Sequence, residues 1–416
     1  MPPTQGQFTV LKQVVELIPR NLVAKLATQH GVAEQCRSFS PWSHVVTMVY
    51  AQTAHALSLN DICDALHHHA AALTELRRAT PPSRNGLSHA NRTRNADLAE
   101  DLFWQTLAQL QTQAPGFGQG CHYTGFPRRF KRLINVVDST TIALVANCME
   151  WAKHRRRKAA AKCHMCLDLK TFLPRFALVK AADTHDASEA RTLCAPLQAG
   201  EIVVFDKAYV DFVHLYELDQ RDLFWVTRAK TNMKYEVVAE LSPAKGAIKR
   251  DQRIRLTTPK THGQYPTELR LVEAEVEIDG KLEVLVFITN NFTWSPSSIA
   301  DLYASRWGIE VFFKQIKQTL QLADFLGHNE NAVRWQIWTA LLTYVLLRFI
   351  AWRSGWQGSF ARLFTAVRGV LWGRFDLNRL LQACCGTARG RPRTIALPSQ
   401  AYLPGFAFAA CGTAPA

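Results

Sequence analysis

The amino-acid sequence predicts an α/β protein in which a mixed sheet carries helices on its faces and follows an all-helical domain. Apolar residues recur at helical spacing over roughly the first 120 residues, and the pattern changes to β-branched runs after about residue 128. The order strand, strand, strand, helix, strand then follows, which is typical of a mixed sheet flanked by helices. A long β-rich stretch interrupts this order before helical patterns return, and it indicates an insertion.

These changes of pattern divide the chain into five parts. A stretch containing glycine and proline, from about Ala114 to Pro127, separates the helical part from the strand-like part. The predicted parts are a helical domain (1–120), the first part of the core (128–218), an inserted β-rich subdomain (219–294), the second part of the core with C-terminal helices (295–380) and an irregular tail (381–416).

One short segment of the helical domain carries side chains suited to reading DNA. A helix is predicted from Leu87, after Gly86, with Ser88 as its N-cap. Its polar residues are of the types that contact bases and phosphates, namely Ser88, His89, Asn91, Arg92 and Arg94. A solvated helix start within a helical bundle explains the same residues equally well.

Two aspartates interrupt apolar runs of the core. Asp138 lies at the centre of the run 133–144, and Asp206 ends the run 201–206. A charge in such a strand is costly unless it is paired or bound to metal, although a lone aspartate closing a strand is often only a turn or cap residue. Together with Glu310 downstream, the two aspartates favour a site for Mg²⁺ or Mn²⁺. Two such ions about 4 Å apart can activate water and stabilise a leaving 3′ oxygen.

Residues 303–317 are predicted to form one helix with two distinct faces. Its polar arc spans roughly 60° and contains Tyr303, Arg306, Glu310 and Lys317, while its apolar stripe contains Ile309, Phe313, Ile316 and Leu320. A single carboxylate among cations and a phenol suits a surface that holds DNA phosphates beside one acid, and Lys314 is a further basic candidate. The alternative is an ordinary amphipathic helix with a solvated face.

The stretch before this helix is β-rich. Alternating residues 269–278 turn at Asp279-Gly280 into residues 281–289, which predicts a hairpin. Trp225 and Trp294 flank the insertion. Either indole could stack on an unpaired base, and packing in the core or at its rim is the alternative.

Composition indicates a polyanionic partner. Lysine and arginine total 49 against 34 acidic residues, which gives a net charge of +15 and favours nucleic acid first and an anionic membrane second. The apolar run 337–347 is too short to span a bilayer and predicts a buried helix. No signal peptide is visible, and the ten cysteines lack a disulfide pattern, so we expect a cytoplasmic protein with reduced thiols.

Two further clusters could suggest metal binding. Cys163 and Cys166 form a lone CxxC in a predicted strand, without a second pair at zinc spacing. His67, His68 and His69 are consecutive and fit a helix surface better than a ligand cluster. Neither cluster is expected to hold a metal ion.

The sequence resembles bacterial insertion-sequence transposases of the DDE type, in the branch marked by Tyr-x2-Arg-x3-Glu-x6-Lys. The pattern is complete as Tyr303, Arg306, Glu310 and Lys317. The motif around the first aspartate is present as Val137-Asp138-Ser-Thr-Thr, and the second as Phe205-Asp206-Lys-Ala-Tyr209. Family members commonly have Arg-Gly-Tyr after the second aspartate, so Lys207-Ala208 departs mildly from the pattern.

The resemblance implies an RNase H-like catalytic core, a β insertion and an N-terminal domain that binds inverted-repeat ends. It implies cut-and-paste transposition by a synaptic homodimer, often through a hairpin intermediate, in the bacterial nucleoid. Asp138, Asp206 and Glu310 would hold two Mg²⁺ ions, and Tyr303, Arg306 and Lys317 would grip the phosphates beside the cut.

Three other interpretations compete with this one. A metal-dependent nuclease could share the core without strand transfer, and an inactive transposase-derived protein could bind DNA only. A membrane-associated basic protein is disfavoured by the length of run 337–347. The roles of Asp186, Asp211 and the basic segment Arg389–Arg393 stay open at this level.

Overall fold

The computed structural model describes residues 6–32, 39–56, 58–119, 130–144, 153–155, 158–181, 186–278, 281–320 and 326–386. Helices precede the sheet, and several begin at a side-chain cap, such as Ser58, whose hydroxyl accepts from the backbone N–H of Asp61. They are α1 (Val10–Val15), α2 (Leu22–Gln29), α3 (Pro41–Ala54), α4 (Leu59–His68), α5 (Ala70–Thr74), α6 (Arg84–Thr93) and α7 (Asp97–Gln113), followed by a 3₁₀ turn (Pro115–Gly118).

Ten strands form one mixed sheet, which confirms the predicted α/β class. The strands are β1 (Ile134–Leu144), β2 (Lys153–Arg155), β3 (Lys158–Asp168), β4 (Leu173–Ala181), β5 (Ile202–Phe205), β6 (Phe224–Arg228), β7 (Tyr235–Glu240), β8 (Ile248–Leu256), β9 (Leu269–Ile278) and β10 (Lys281–Thr289). Their order is β2-β3-β1-β5-β6-β10-β9-β8-β7, and β4 also pairs with β3. β1, β5 and β6 are mutually parallel, and the other pairings are antiparallel.

The later helices lie between and after these strands. They are α8 (Asp186–Cys194), α9 (Phe212–Gln220), α10 (Pro259–Gln264), α11 (Pro296–Ser305), α12 (Trp307–Lys314), α13 (Glu330–Ser354), α14 (Phe360–Arg368) and α15 (Leu377–Gly386). A 3₁₀ turn (Lys207–Tyr209) follows β5, and a π-helical turn (Gln315–Thr319) follows α12.

The central strands are buried on both faces. In β5, Ile202 and Val204 belong to one apolar core, whereas Val203 and Phe205 belong to a second core on the opposite face. The first core also contains the N-terminal helices, α12 and α13, so helices and sheet share one continuous interior.

Helix α13 joins the N-terminal helices to the sheet. The apolar run 337–347 is buried within it, and the Tyr344 hydroxyl donates to the carbonyl of Phe172 at 3.0 Å. Among the described residues, no helix is long and apolar enough to cross a membrane. The burial of residues 337–347 confirms the predicted buried helix.

Several element boundaries differ from the sequence prediction. The boundary at residue 219 assigned 224–228 to the insertion, but β6 pairs in parallel with β5 inside the central sheet. α6 begins one turn earlier than predicted, because Ser83 rather than Ser88 caps it. The predicted tail begins at residue 381, which lies within α15. Two other predicted features lie outside the described residues, namely the basic segment Arg389–Arg393 and the Asp279-Gly280 turn.

Candidate active site

The two predicted aspartates lie side by side on one face of the sheet. Val137 of β1 is level with Phe205 of the parallel strand β5, so Asp138 and Asp206 follow at the same height on neighbouring strands. Because side chains alternate along a strand, both carboxylates lie on the face opposite Val137 and Phe205. Helix α12 packs on β1 from that face.

The third carboxylate comes from the helix above this face. Arg306 lies at the junction of α11 and α12, and its Nη2 donates to Glu310 Oε1 at 2.7 Å, one helical turn onward. Its Nη1 donates to Asp138 Oδ2 at 2.8 Å. One guanidinium therefore joins the strand carboxylate to the helix carboxylate.

Tyr303 makes the corresponding contact with the second aspartate. Its hydroxyl donates to Asp206 Oδ1 at 3.4 Å, and its ring packs on Phe287 of β10. Burial raises the pKa of Tyr303 to about 12, with Asp206 adding to the rise and Arg306 opposing it. The phenol therefore keeps its proton across the ordinary pH range and donates a hydrogen bond to Asp206.

The site holds more negative than positive charge. Burial raises the pKa of Asp138 to about 6, and Asp206 and Glu310 add to the rise, whereas Arg306 and the backbone N–H of Ser139 oppose it. Burial lowers the pKa of Arg306, but Tyr303 and the three carboxylates outweigh burial and raise it. Arg306 binds Asp138 and Glu310, whereas the partner of Asp206 is the Tyr303 hydroxyl, and three carboxylates beside one bound guanidinium suit an added cation.

The three acidic side chains are of the type that binds divalent cations, but they do not converge on one point. Carboxylate oxygens are the ligands that Mg²⁺ and Mn²⁺ prefer. Among the described residues, however, no three acidic, histidine or cysteine side chains are placed to hold one ion together. Arg306 occupies the space between Asp138 and Glu310, so binding of an ion by both requires the guanidinium to move.

Comparison with known proteins identifies a family for this chain. The family named Transposase DDE domain matches residues 129–346, which is more than half of the chain and includes all three carboxylates. The chain belongs to the DDE transposase family. The predicted membership of the DDE transposases is thereby confirmed, and the protein is a DNA transposase whose family membership implies dependence on divalent metal ions.

Individual relatives support the same assignment. "Putative transposase y4zB" from Sinorhizobium fredii is 31% identical over 275 residues, which cover 65% of this chain and 72% of that protein. "Probable transposase for insertion sequence element IS5377" from Geobacillus stearothermophilus is 30% identical over 225 residues, covering 53% and 58% of the two chains. Residues 7–76 match a domain of unknown function, DUF4372.

A solved structure gives only a faint likeness. The piggyBac transposase synaptic complex with hairpin DNA aligns with 89% of this chain and 82% of that chain, at a TM-score of 0.46 and 10% identity. A likeness at this level carries no conclusion about the transposase described here.

The helix predicted over residues 303–317 is divided into three pieces in this transposase. α11 ends at Ser305, α12 covers 307–314, and residues 315–319 form a π turn. The single-helix prediction is wrong because Arg306 makes a tight i→i−3 bond to Tyr303 and because the π turn changes the angular position of later side chains. Lys317 therefore points back to β1, where its Nζ donates to the carbonyl of Thr141 at 2.7 Å, whereas Lys314 is exposed.

Two of the predicted DNA contacts in the N-terminal region are buried. Asn91 is 2% exposed and accepts from Nε2 of His44 at 2.8 Å, and Arg94 is 5% exposed and donates to the carbonyls of Phe39 and Ser40. Their assignment to DNA is wrong for this structure, because α6 turns this side towards α3 and α13. Its exposed side carries Arg84, Ser88, His89 and Arg92.

The buried histidine of this contact makes the fold sensitive to acid. Burial lowers the pKa of His44 from 6.5 to about 3, and Arg94 adds to the effect. Because the unfolded state binds the proton more readily, stability from this group is present above pH 6.5 and is lost as the pH falls towards 3. We expect the wild-type protein to lose about 3 kcal/mol of unfolding free energy through His44 between pH 7 and pH 4. His44→Gln should not show this part of the loss, because glutamine does not bind the proton.

Urea unfolding at several pH values measures this dependence. His262 lies exposed on α10, so His262→Gln is the matched control and keeps the dependence of the wild type. An unchanged acid slope in His44→Gln would mean that His44 is not the group that titrates.

The tryptophan predictions have different outcomes. Trp225 is fully buried and packs on Tyr265, so its assignment to base stacking is contradicted. Trp294 is half-buried, and its ring packs edge-on against Phe130 at the rim of the first core. Stacking on a base remains a proposal for Trp294 alone.

The remaining candidates whose side chains are described have structural roles. Asp211 caps α9 through the backbone N–H of His214 at 2.9 Å, and the side chain of Asp186 lies outside the described residues. Cys163 and Cys166 are buried as free thiols in β3. The carboxylate contacts of Tyr303 and Arg306 were missed at the level of sequence, where both side chains were assigned to DNA alone.

Proposed function

We propose that this transposase catalyses cut-and-paste transposition of an insertion sequence. Asp138, Asp206 and Glu310 would hold two Mg²⁺ ions, which would activate a water and stabilise the leaving 3′ oxygen. The freed 3′ hydroxyl would attack the opposite strand to form a hairpin at the element end, and a second water would open the hairpin before the 3′ hydroxyl joins target DNA. The observation that carries the proposal is that both aspartates lie level on parallel strands beneath the helix that carries Glu310.

The core is proposed to be RNase H-like. The strand order β4-β3-β1-β5-β6, with two antiparallel pairings followed by two parallel ones, supports this assignment. The four strands β7–β10 extend the same sheet from β6 and are the proposed insertion. They precede α11 and so lead the chain back to the catalytic face.

The phosphates beside the cut are proposed to bind around Arg306. Lys314 is exposed on α12, and Lys317 is half-exposed beside β1, so both amines can be reached from solvent. Tyr303 is held at Asp206, and its contribution is to position that carboxylate as well as to border the DNA. Arg306 becomes available to a phosphate once it leaves its carboxylates.

The N-terminal helices are proposed to read the inverted-repeat ends. Arg84, Ser88 and Arg92 line a cleft of about 450 Å³ whose other wall contains His328 and Asn329, just before and at the start of α13. Arg84 and Arg92 are eight residues apart on one helix, about 12 Å along its axis, which suits two phosphates of one strand.

Salt dependence of end binding tests the role of this cleft. We expect Arg84→Ala combined with Arg92→Ala to weaken binding of a duplex carrying the element end and to reduce the salt slope by about one for each arginine. Arg379→Ala on α15 is the control, since it removes an exposed charge of the same sign elsewhere. An unchanged slope in the double variant would show that the cleft does not contact phosphates.

Two further features of the proposal concern the assembly and the compartment. A homodimer is proposed to hold two element ends in one synaptic complex, and the transposase is proposed to act in the bacterial cytoplasm at the nucleoid. The net charge of +15 supports association with DNA.

Joining of a precut element end to a supercoiled plasmid, with Mg²⁺, tests the proposed function. The expected product is a plasmid carrying the covalently attached end. Nicking of the plasmid without attachment would assign the site to a metal-dependent nuclease instead. End binding without either product would indicate a protein that binds DNA only.

A further inference from the structure

Arg306 is the side chain that joins Asp138 of the sheet to Glu310 of helix α12. Its two Nη atoms bind Asp138 and Glu310 at 2.8 and 2.7 Å, and the side chain is 15% exposed. A planar guanidinium with two donors can bridge two carboxylates in this way, whereas an ammonium acts as a single point charge. The side chain thus lies where a cation shared by these two carboxylates would lie.

The hydrogen bonding of this guanidinium is incomplete. Nε of Arg306 is buried and has no hydrogen-bond partner among the described residues. A buried donor without a partner is unfavourable, so part of the stabilisation from the two carboxylate bonds is offset. The unpaired Nε therefore lowers the cost of moving the guanidinium away from the two carboxylates.

We infer that Arg306 is a resident counter-ion that must leave Asp138 and Glu310 before they bind a divalent cation, and that a phosphate of the DNA end draws it away. The inference rests on the proposed function, because it requires Asp138 and Glu310 to be metal ligands. Arg306 is then a positioning residue with two alternating partners. By reciprocity, DNA that takes Arg306 increases metal affinity by the same factor as metal increases DNA affinity.

This coupling protects the site before DNA is bound. Without DNA, the guanidinium neutralises part of the charge of the three carboxylates and competes with metal ions for two of them. With an end bound, the same side chain neutralises a phosphate instead. Metal then enters the site mainly on the DNA complex, where it is needed.

Binding of Mn²⁺ to the full-length protein, followed by the electron paramagnetic resonance signal of the free ion, tests the inference. Without DNA, we expect Arg306→Gln to bind Mn²⁺ at least about tenfold more tightly than the wild type. Arg306→Lys keeps the charge but cannot bridge both carboxylates, so we expect an intermediate affinity. Arg334→Gln is the matched control, because Arg334 also binds two carboxylates, Asp97 and Glu100, on helix α7.

The second half of the experiment adds a precut element end with a 3′-dideoxy nucleotide, which cannot be joined. After subtraction of Mn²⁺ binding to the duplex alone, we expect this duplex to increase the Mn²⁺ affinity of the wild type. The Mn²⁺ affinity of Arg306→Gln should be the same with and without the duplex. Equal Mn²⁺ affinities of the wild type and Arg306→Gln without DNA would overturn the inference. If the coupling is found while the plasmid-joining assay fails, the counter-ion role stands and the transposition chemistry does not.

Discussion

Asp138→Asn, Asp206→Asn and Glu310→Gln are each expected to lower Mg²⁺-dependent cleavage at the element end by at least about a thousandfold. Each change replaces a carboxylate oxygen by an amide nitrogen of nearly the same shape, so the proposed metal site loses charge while the fold is kept. Binding of the end, measured by fluorescence anisotropy with Ca²⁺, should remain within a few-fold of the wild type. Gel assays on a duplex carrying the end and flanking DNA measure the cleavage.

The control for this series is Asp211→Asn. Asp211 caps α9 through its Oδ1, and asparagine can accept the same hydrogen bond, so we expect this variant to cleave at the wild-type rate. Cleavage that survives in one of the three carboxylate variants would remove that residue from the metal site. Loss of cleavage in Asp211→Asn would place Asp211 among the ligands.

The largest expected effect on stability comes from the buried ion pair of Arg270 and Asp251. Both side chains are almost fully buried, and Nε and Nη2 of Arg270 donate to the two carboxylate oxygens at 2.7 and 2.8 Å. Nη1 of Arg270 also donates to the carbonyl of Trp294 at 2.6 Å, in the loop before α11. We expect Arg270→Met to lower the free energy of unfolding by about 3–5 kcal/mol, because Asp251 is left buried and unpaired.

Urea unfolding followed by circular dichroism measures this loss. Arg250→Met is the control, because Arg250 pairs with Glu273 at the surface of the same two strands and should contribute less than about 1 kcal/mol. Combining Arg270→Met with Asp251→Leu should recover much of the lost stability, since no unpaired charge remains. Equal effects of Arg270→Met and Arg250→Met would contradict the importance of the buried pair.

The strands and the two aspartates could be predicted because their signals are local. β1 and β5 are short apolar runs bounded by polar residues, and a single aspartate within or after such a run is conspicuous. The contact of Arg306 with Glu310 was missed, although a separation of four residues in helical backbone brings two side chains together. These features need no knowledge of distant parts of the chain.

The directions of other side chains depend on distant packing. Asn91 and Arg94 are buried because α6 docks on the start of α13, where Asn331 donates to the carbonyls of both residues. That contact joins positions about 240 residues apart in sequence. Similarly, Trp225 lies in a strand whose membership of the central sheet is fixed by pairing with β5 and β10. Local patterns cannot reveal either arrangement.

A crystal structure of this transposase with a precut element end and Mn²⁺, in which anomalous scattering locates the ions, tests the proposed metal site directly. We expect Mn²⁺ bound by oxygen atoms of Asp138, Asp206 and Glu310, with Arg306 moved from its carboxylates to a phosphate. Ions bound by other carboxylates, or Glu310 still held by Arg306 and remote from every ion, would contradict the proposed metal site.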